Sequence, residues 1–130
     1  MVEWSFDTRD SVAARKARID FANLMNAFFG TQADVATAEL VLGELIGNVV
    51  RYAPGPALVK AEFDRDGVTI AVVDRGRGFT VRDAPPTDVL RESGRGLAII
   101  SQLTDSLEVR CLEDDGCCVS ARLAVAAPDH

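Results

Sequence analysis

The chain is poor in the residues that build most metal and covalent-catalysis sites, with one histidine and three cysteines among its 130 residues. Cys111, Cys117 and Cys118 crowd near the C-terminus at spacings that match neither a zinc-ligand pattern nor a CxxC pair. Free buried thiols in a reducing cytoplasm are therefore expected. Basic charge is also short: 14 Lys and Arg against 20 Asp and Glu leave a formal net charge of −6. That balance argues against broad electrostatic binding to DNA or RNA, which needs a basic face. No apolar run approaches the roughly 20 residues needed to span a bilayer. The opening MVEWSFDTRD has no basic segment leading into an apolar one, so no secretory signal is expected either. There is no internal repeat and no low-complexity tract. A 48% hydrophobic and 26% charged composition is that of an ordered globular chain, and its length suits one domain over residues 1–130.

Periodicity then divides the chain. Val2 to Phe6 alternates as a short strand, with Trp4 as its anchor. Asp10 or Ser11 is placed to cap a helix to about Phe29, whose apolar stripe is Ala17, Phe21, Leu24 and Phe28 and whose end is Gly30. Thr31 is expected to cap a second helix, with Asp34 in its first turn and its end near Tyr52. Val35, Ala38, Leu42, Leu45, Val49 and Tyr52 give that helix a core-facing stripe. Pro54-Gly55-Pro56 breaks it. Two strand-like runs, Ala57 to Arg65 and Val68 to Asp74, flank an Asp66-Gly67 hairpin signal. Gly96 to Leu103 reads as a short helix, and a second hairpin follows around Asp115-Gly116. The order strand, helix, helix, hairpin, helix, hairpin predicts an α+β fold: a two-layer sandwich with a mostly antiparallel sheet and helices on one face.

Three segments carry chemistry. Glu44 and Asn48 lie one turn apart on a stripe continued by Arg51, beside the apolar face of the second helix. An amide oxygen is a neutral hard ligand suited to Mg²⁺ held jointly with phosphates. A neighbouring carboxylate can orient or deprotonate a nucleophile. In Val72-Val73-Asp74-Arg75-Gly76-Arg77-Gly78, an apolar strand ends in an acid able to accept from an exocyclic amine such as that of adenine. Gly76 and Gly78 let backbone approach a flat ring. In Gly94-Arg95-Gly96-Leu97, glycines lead directly into a helix, where free N–H groups and the positive dipole end suit phosphate. Neither glycine segment is a Rossmann fingerprint or a Walker A loop.

In order and spacing, these three segments resemble the N, G1 and G2 boxes of the GHKL ATPases, which include gyrase, histidine kinases and MutL. Within that superfamily the chain looks most like the anti-sigma factor serine kinases (RsbW-like). The short stretch Thr80 to Ser93 between the second and third boxes and the Gly-Arg-Gly-Leu form of the third carry that finer likeness. The resemblance implies a Bergerat-type fold binding ATP and Mg²⁺. Asn48 would ligate the metal, Glu44 would be the general base, Asp74 would bind the adenine amine, and Gly76 and Gly78 would shape the base pocket. Thr80 to Ser93 would be the ATP lid, and Gly94, Arg95 and Gly96 would hold the phosphates. Arg75, Arg77, Arg91 and Arg95 would be candidates to neutralise charge. The implied reaction is γ-phosphoryl transfer to a serine of an anti-anti-sigma (STAS-domain) partner by a cytoplasmic, homodimeric anti-sigma factor, with a sigma factor as a further partner. Two other readings are a non-catalytic nucleotide-binding module and a histidine-kinase-like ATPase domain acting in trans. The chain departs from the family pattern at Tyr52, where His is common, and at Gly116-Cys117-Cys118, where Gly-Thr is common.

Overall fold

A computed structural model describes residues 1–30, 34–74, 100–112 and 116–124. Its elements are β1 (Val2–Asp7), α1 (Ser11–Phe29), α2 (Val35–Tyr52), β2 (Pro56–Asp64), β3 (Gly67–Asp74), β4 (Ser106–Leu112) and β5 (Gly116–Ala124). Residues 100–103 are helical as well; the rest of the helix expected from Gly96 lies outside the described residues.

Local chemistry sets the helix boundaries. The Asp10 carboxylate accepts from the backbone N–H groups of Val12 and Ala13, satisfying two of the orphan donors at the start of α1. Gly30 closes the helix at φ +66°, a conformation that suits a residue without Cβ. At α2 the cap is Asp34, not Thr31 as expected. Its carboxylate accepts from the Thr37 N–H at 3.0 Å and also from the Thr37 hydroxyl, so one side chain gathers two donors. These bonds hold the Asp34 carboxyl below its usual range. Ala53 ends α2 by donating its N–H to the Val49 carbonyl, and Pro54 then forbids continuation.

The expected stripe of α1 is displaced by about one position. Ala17, Phe21 and Met25 are buried, Leu24 is half-buried, and Phe28 is 54% exposed. A strict i, i+4 row wins because Met25 and Phe29 continue Phe21 inward, while Phe28 packs edge-on against Phe29. In α2, Ala38, Leu42, Leu45 and Val49 are buried as expected, and Val41 and Ile46 widen the stripe.

The five strands form one sheet in the order β1-β2-β3-β5-β4, and every pairing is antiparallel. Cross-strand register builds continuous apolar rows on one face. Trp4, Val59, Val72, Val119 and Val109 form one row; Val2, Ala61, Ile70, Ala121 and Leu107 form the next. Val59, Val72, Ala61 and Ile70 are essentially inaccessible, so this face is the one α1 and α2 cover. On the other side of the pleat, Arg122 makes a two-pronged contact with the Asp64 carboxylate at 2.8 and 2.9 Å and reaches the Thr69 hydroxyl. The same carboxylate accepts from the N–H groups of Asp66 and Gly67, so it closes the β2–β3 turn and ties it to β5.

The cysteines correct an expectation. Cys118 is a free, partly buried thiol, and burial pushes its pKa up. Cys117, expected to be free as well, is disulfide-bonded, and Cys111 stands directly opposite it in the β4–β5 register. The expectation rested on sequence spacing, which does not show that Cys111 and Cys117, six residues apart, occupy opposing register positions on paired strands.

Candidate functional site

Strand alternation explains where Asp74 goes. Val68, Ile70, Val72 and Asp74 share the helix-covered face of β3, so the row of buried aliphatics ends in a buried carboxylate that is 5% exposed. Its register partner in β2 is Ala57, a small buried residue. Asn48 sits among the core positions Leu45 and Val49 of α2 and is 7% exposed. Glu44, one turn earlier, is half-buried. Because α2 packs on β3 and β5, the helix that carries Asn48 and the strand that ends in Asp74 are direct neighbours.

Burying a polar side chain costs free energy unless something compensates. Among the described residues only Thr8, Asn48 and Asp74 are buried and polar or charged. Thr8 has a structural explanation: its hydroxyl donates to the Gly55 carbonyl and accepts from the Gly55 N–H, both at 3.0 Å, which pins the α2–β2 turn to the end of β1. The other two are residues that the sequence singles out for ligand chemistry. Both are engaged in interactions, and no buried side-chain nitrogen or oxygen among the described residues lacks a hydrogen-bond partner.

Two features escape motif reading. The first is the packing of Gly116, which the sequence marks as a turn residue and as the start of the Gly116-Cys117-Cys118 departure from the family pattern. Its φ is +77°, and a Cβ built on it would stand 2.0 Å from the Asp74 carbonyl oxygen and 3.1 Å from Oδ1. Gly116 is therefore packed directly on Asp74 and helps to fix that residue at the end of β3. The Asp115-Gly116 turn signal and the Gly116-Cys117-Cys118 departure mark this position in the sequence, but neither reveals the partner. The second is the cationic cover of α2. Gly43 and Gly47, each one position before Glu44 and Asn48, leave bare helix surface on which guanidinium groups lie. A Cβ at Gly43 would be 3.5 Å from the Arg18 guanidinium carbon, and one at Gly47 would be 3.8 Å from an Arg51 nitrogen. Two cations thus border the Glu44–Asn48 stripe, although the chain as a whole is acidic.

The other expected site residues, Gly76, Gly78, Gly94, Arg95 and Gly96, lie outside the described residues, as do Arg75, Arg77 and Arg91. No group of three or more His, Cys, Asp or Glu side chains able to hold a metal occurs among the described residues. An apolar cavity of about 340 Å³ lies elsewhere, lined by Met1, Val2, Leu24, Ala27, Phe28 and Phe63. It adjoins the far end of β2 from Ala57, the partner of Asp74, and has no polar side chain to orient a nucleotide. No described helix is long and apolar enough to cross a membrane.

Comparison with known proteins places this arrangement. Nothing matches among curated proteins. Among solved structures, the chain is similar to the Acinetobacter baumannii histidine kinase AdeS, with a TM-score of 0.56 and 17% identity over 98% of this chain and 69% of that one. At that identity the likeness speaks for the fold alone. Residues 8–123 match the histidine kinase-like ATPase domain, a span that contains α1, α2, Asn48, Asp74 and Gly116. The chain thus belongs to the histidine kinase-like ATPase domain family.

Proposed function

We propose that the chain binds Mg-ATP and transfers its γ-phosphoryl group to a serine of an anti-anti-sigma (STAS-domain) partner, acting as a cytoplasmic anti-sigma factor kinase. The observation that carries the nucleotide reading is the pair Asn48 and Asp74. Among the described residues they are, with Thr8, the buried polar or charged side chains, and they sit on adjoining elements. Asp74 would accept from the adenine amine and discriminate against a base lacking that donor. The donor set fits magnesium held chiefly by phosphate: one neutral amide oxygen at Asn48, no carboxylate cage among the described residues, and flanking Arg18 and Arg51 to balance phosphate charge. Magnesium so held would neutralise charge on the transferring group. Glu44, half-buried one turn from Asn48, would take the proton from the incoming serine hydroxyl.

The choice of serine, the STAS partner, a sigma factor as second partner and homodimerisation rest on the sequence resemblance. The test is incubation with Mg-ATP and candidate STAS proteins, followed by identification of the phosphorylated residue. Acid-stable phosphoserine supports the proposal. Acid-labile phosphohistidine would replace it with a histidine-kinase-like activity in trans, and ATP binding without transfer would leave a non-catalytic module. Asn48→Ala should abolish magnesium-dependent ATP binding; unchanged affinity by calorimetry would remove Asn48 from the metal site.

A further inference from the structure

The β4–β5 hairpin brings a redox-active group to the adenine end of the site. Among the described residues β4 is the edge strand of the sheet and pairs with β5. β5 opens with Gly116, packed on the backbone and carboxylate of Asp74, and the next residue is the disulfide-bonded Cys117. Val73, the neighbour of Asp74, pairs with Cys118. A covalent tie at Cys117 is thus one residue from the contact that positions Asp74.

We propose that the Cys117 disulfide is a redox latch on the nucleotide pocket. The proposal rests on the reading of Asp74 as the adenine acceptor. With the bond intact, the start of β5 is restrained, and Gly116 stays seated against Asp74. Reduction by a dithiol takes two electrons and two protons from the reductant: the S–S bond breaks, two thiols form, and the reductant closes its own disulfide. The start of β5 then regains conformational freedom, and the seat of Gly116 against Asp74 loosens, while β5 stays paired with β3 from Cys118 onward. Cys118 takes no part; it is a free thiol and is partly buried.

The latch is tested on the full chain by thiol titration and by calorimetry with Mg-ATP, without reductant and after dithiothreitol. One reactive thiol per unfolded chain is expected without reductant and three after it. ATP affinity should fall roughly fivefold on reduction, which is about 1 kcal/mol. Cys117→Ser should bind like the reduced protein with or without dithiothreitol, whereas Cys118→Ser should respond to reductant as the wild type does. Equal ATP affinity in the two redox states, or three free thiols before reduction, would overturn the latch and leave the nucleotide site standing. Failure to bind ATP in either state would overturn the site and the latch together.

Discussion

Gly116→Ala offers a quantitative check on the packing around Asp74, because two other glycines separate its two costs. Gly30 also has a left-handed φ, +66°, but nothing lies within 4 Å of where its Cβ would stand. Gly67 has no such φ, but its Cβ would stand 2.1 Å from the Leu123 carbonyl oxygen. Gly30→Ala therefore isolates backbone strain, about 1–2 kcal/mol. Gly67→Ala isolates the clash, in which sheet backbone must retreat by about 1 Å to reach ordinary contact, at a cost of about 1–3 kcal/mol. Gly116→Ala carries both, because φ is +77° and the Asp74 oxygen is 2.0 Å away. Its loss should approach the sum, about 2–5 kcal/mol, read as a reduced urea midpoint at constant m-value. ATP affinity should fall as well, since the atoms displaced belong to Asp74, while Gly30→Ala should leave affinity unchanged. If Gly116→Ala is no less stable than Gly30→Ala, the hairpin does not pack on β3 as described.

Other perturbations address the core, the exposed ion pairs and catalysis. Leu45→Ala removes a fully buried side chain and should cost about 2–5 kcal/mol in chemical denaturation, whereas Leu40→Ala, at a position 46% exposed, should stay within about 0.5 kcal/mol. Hydrogen bonds from Arg122 lower the Asp64 carboxyl from its ordinary 3.8 to about 2, and those from Arg9 do the same for Asp7. A depressed carboxylate stabilises the fold above its unfolded pKa and loses that effect as pH falls through the folded one. Stability should therefore drop between about pH 4 and pH 2, with a smaller drop in high salt or in Arg122→Ala. Glu44→Gln should spare ATP binding and slow phosphoryl transfer by orders of magnitude; a wild-type rate in single-turnover assays would remove Glu44 from the base role.

Much of the fold was legible because its causes are local. Asp10 and Gly30 bound α1, Pro54 ends α2, and Asp66-Gly67 turns β2 into β3, since each acts through its own backbone conformation or a hydrogen bond a few residues away. Misreadings occurred where two local solutions compete. Thr31 and Asp34 can each cap a helix, and Leu24 and Met25 can each continue the α1 stripe; packing selected Met25 for the core, and Asp34 makes the observed cap.

The sequence by itself determined the elements and marked Glu44, Asn48 and Asp74 as chemically unusual, because period and residue type are properties of short segments. Only the tertiary structure decided that β5 lies between β3 and β4, that Asp74 ends a buried row, and that Gly116 rests on it. It also decided that Arg18 of α1 lies over Gly43 of α2 and that Cys117 is bonded while Cys118 is free. Strand order and cross-element contact depend on which apolar faces bury one another after the chain has turned back on itself, and no local period encodes that choice.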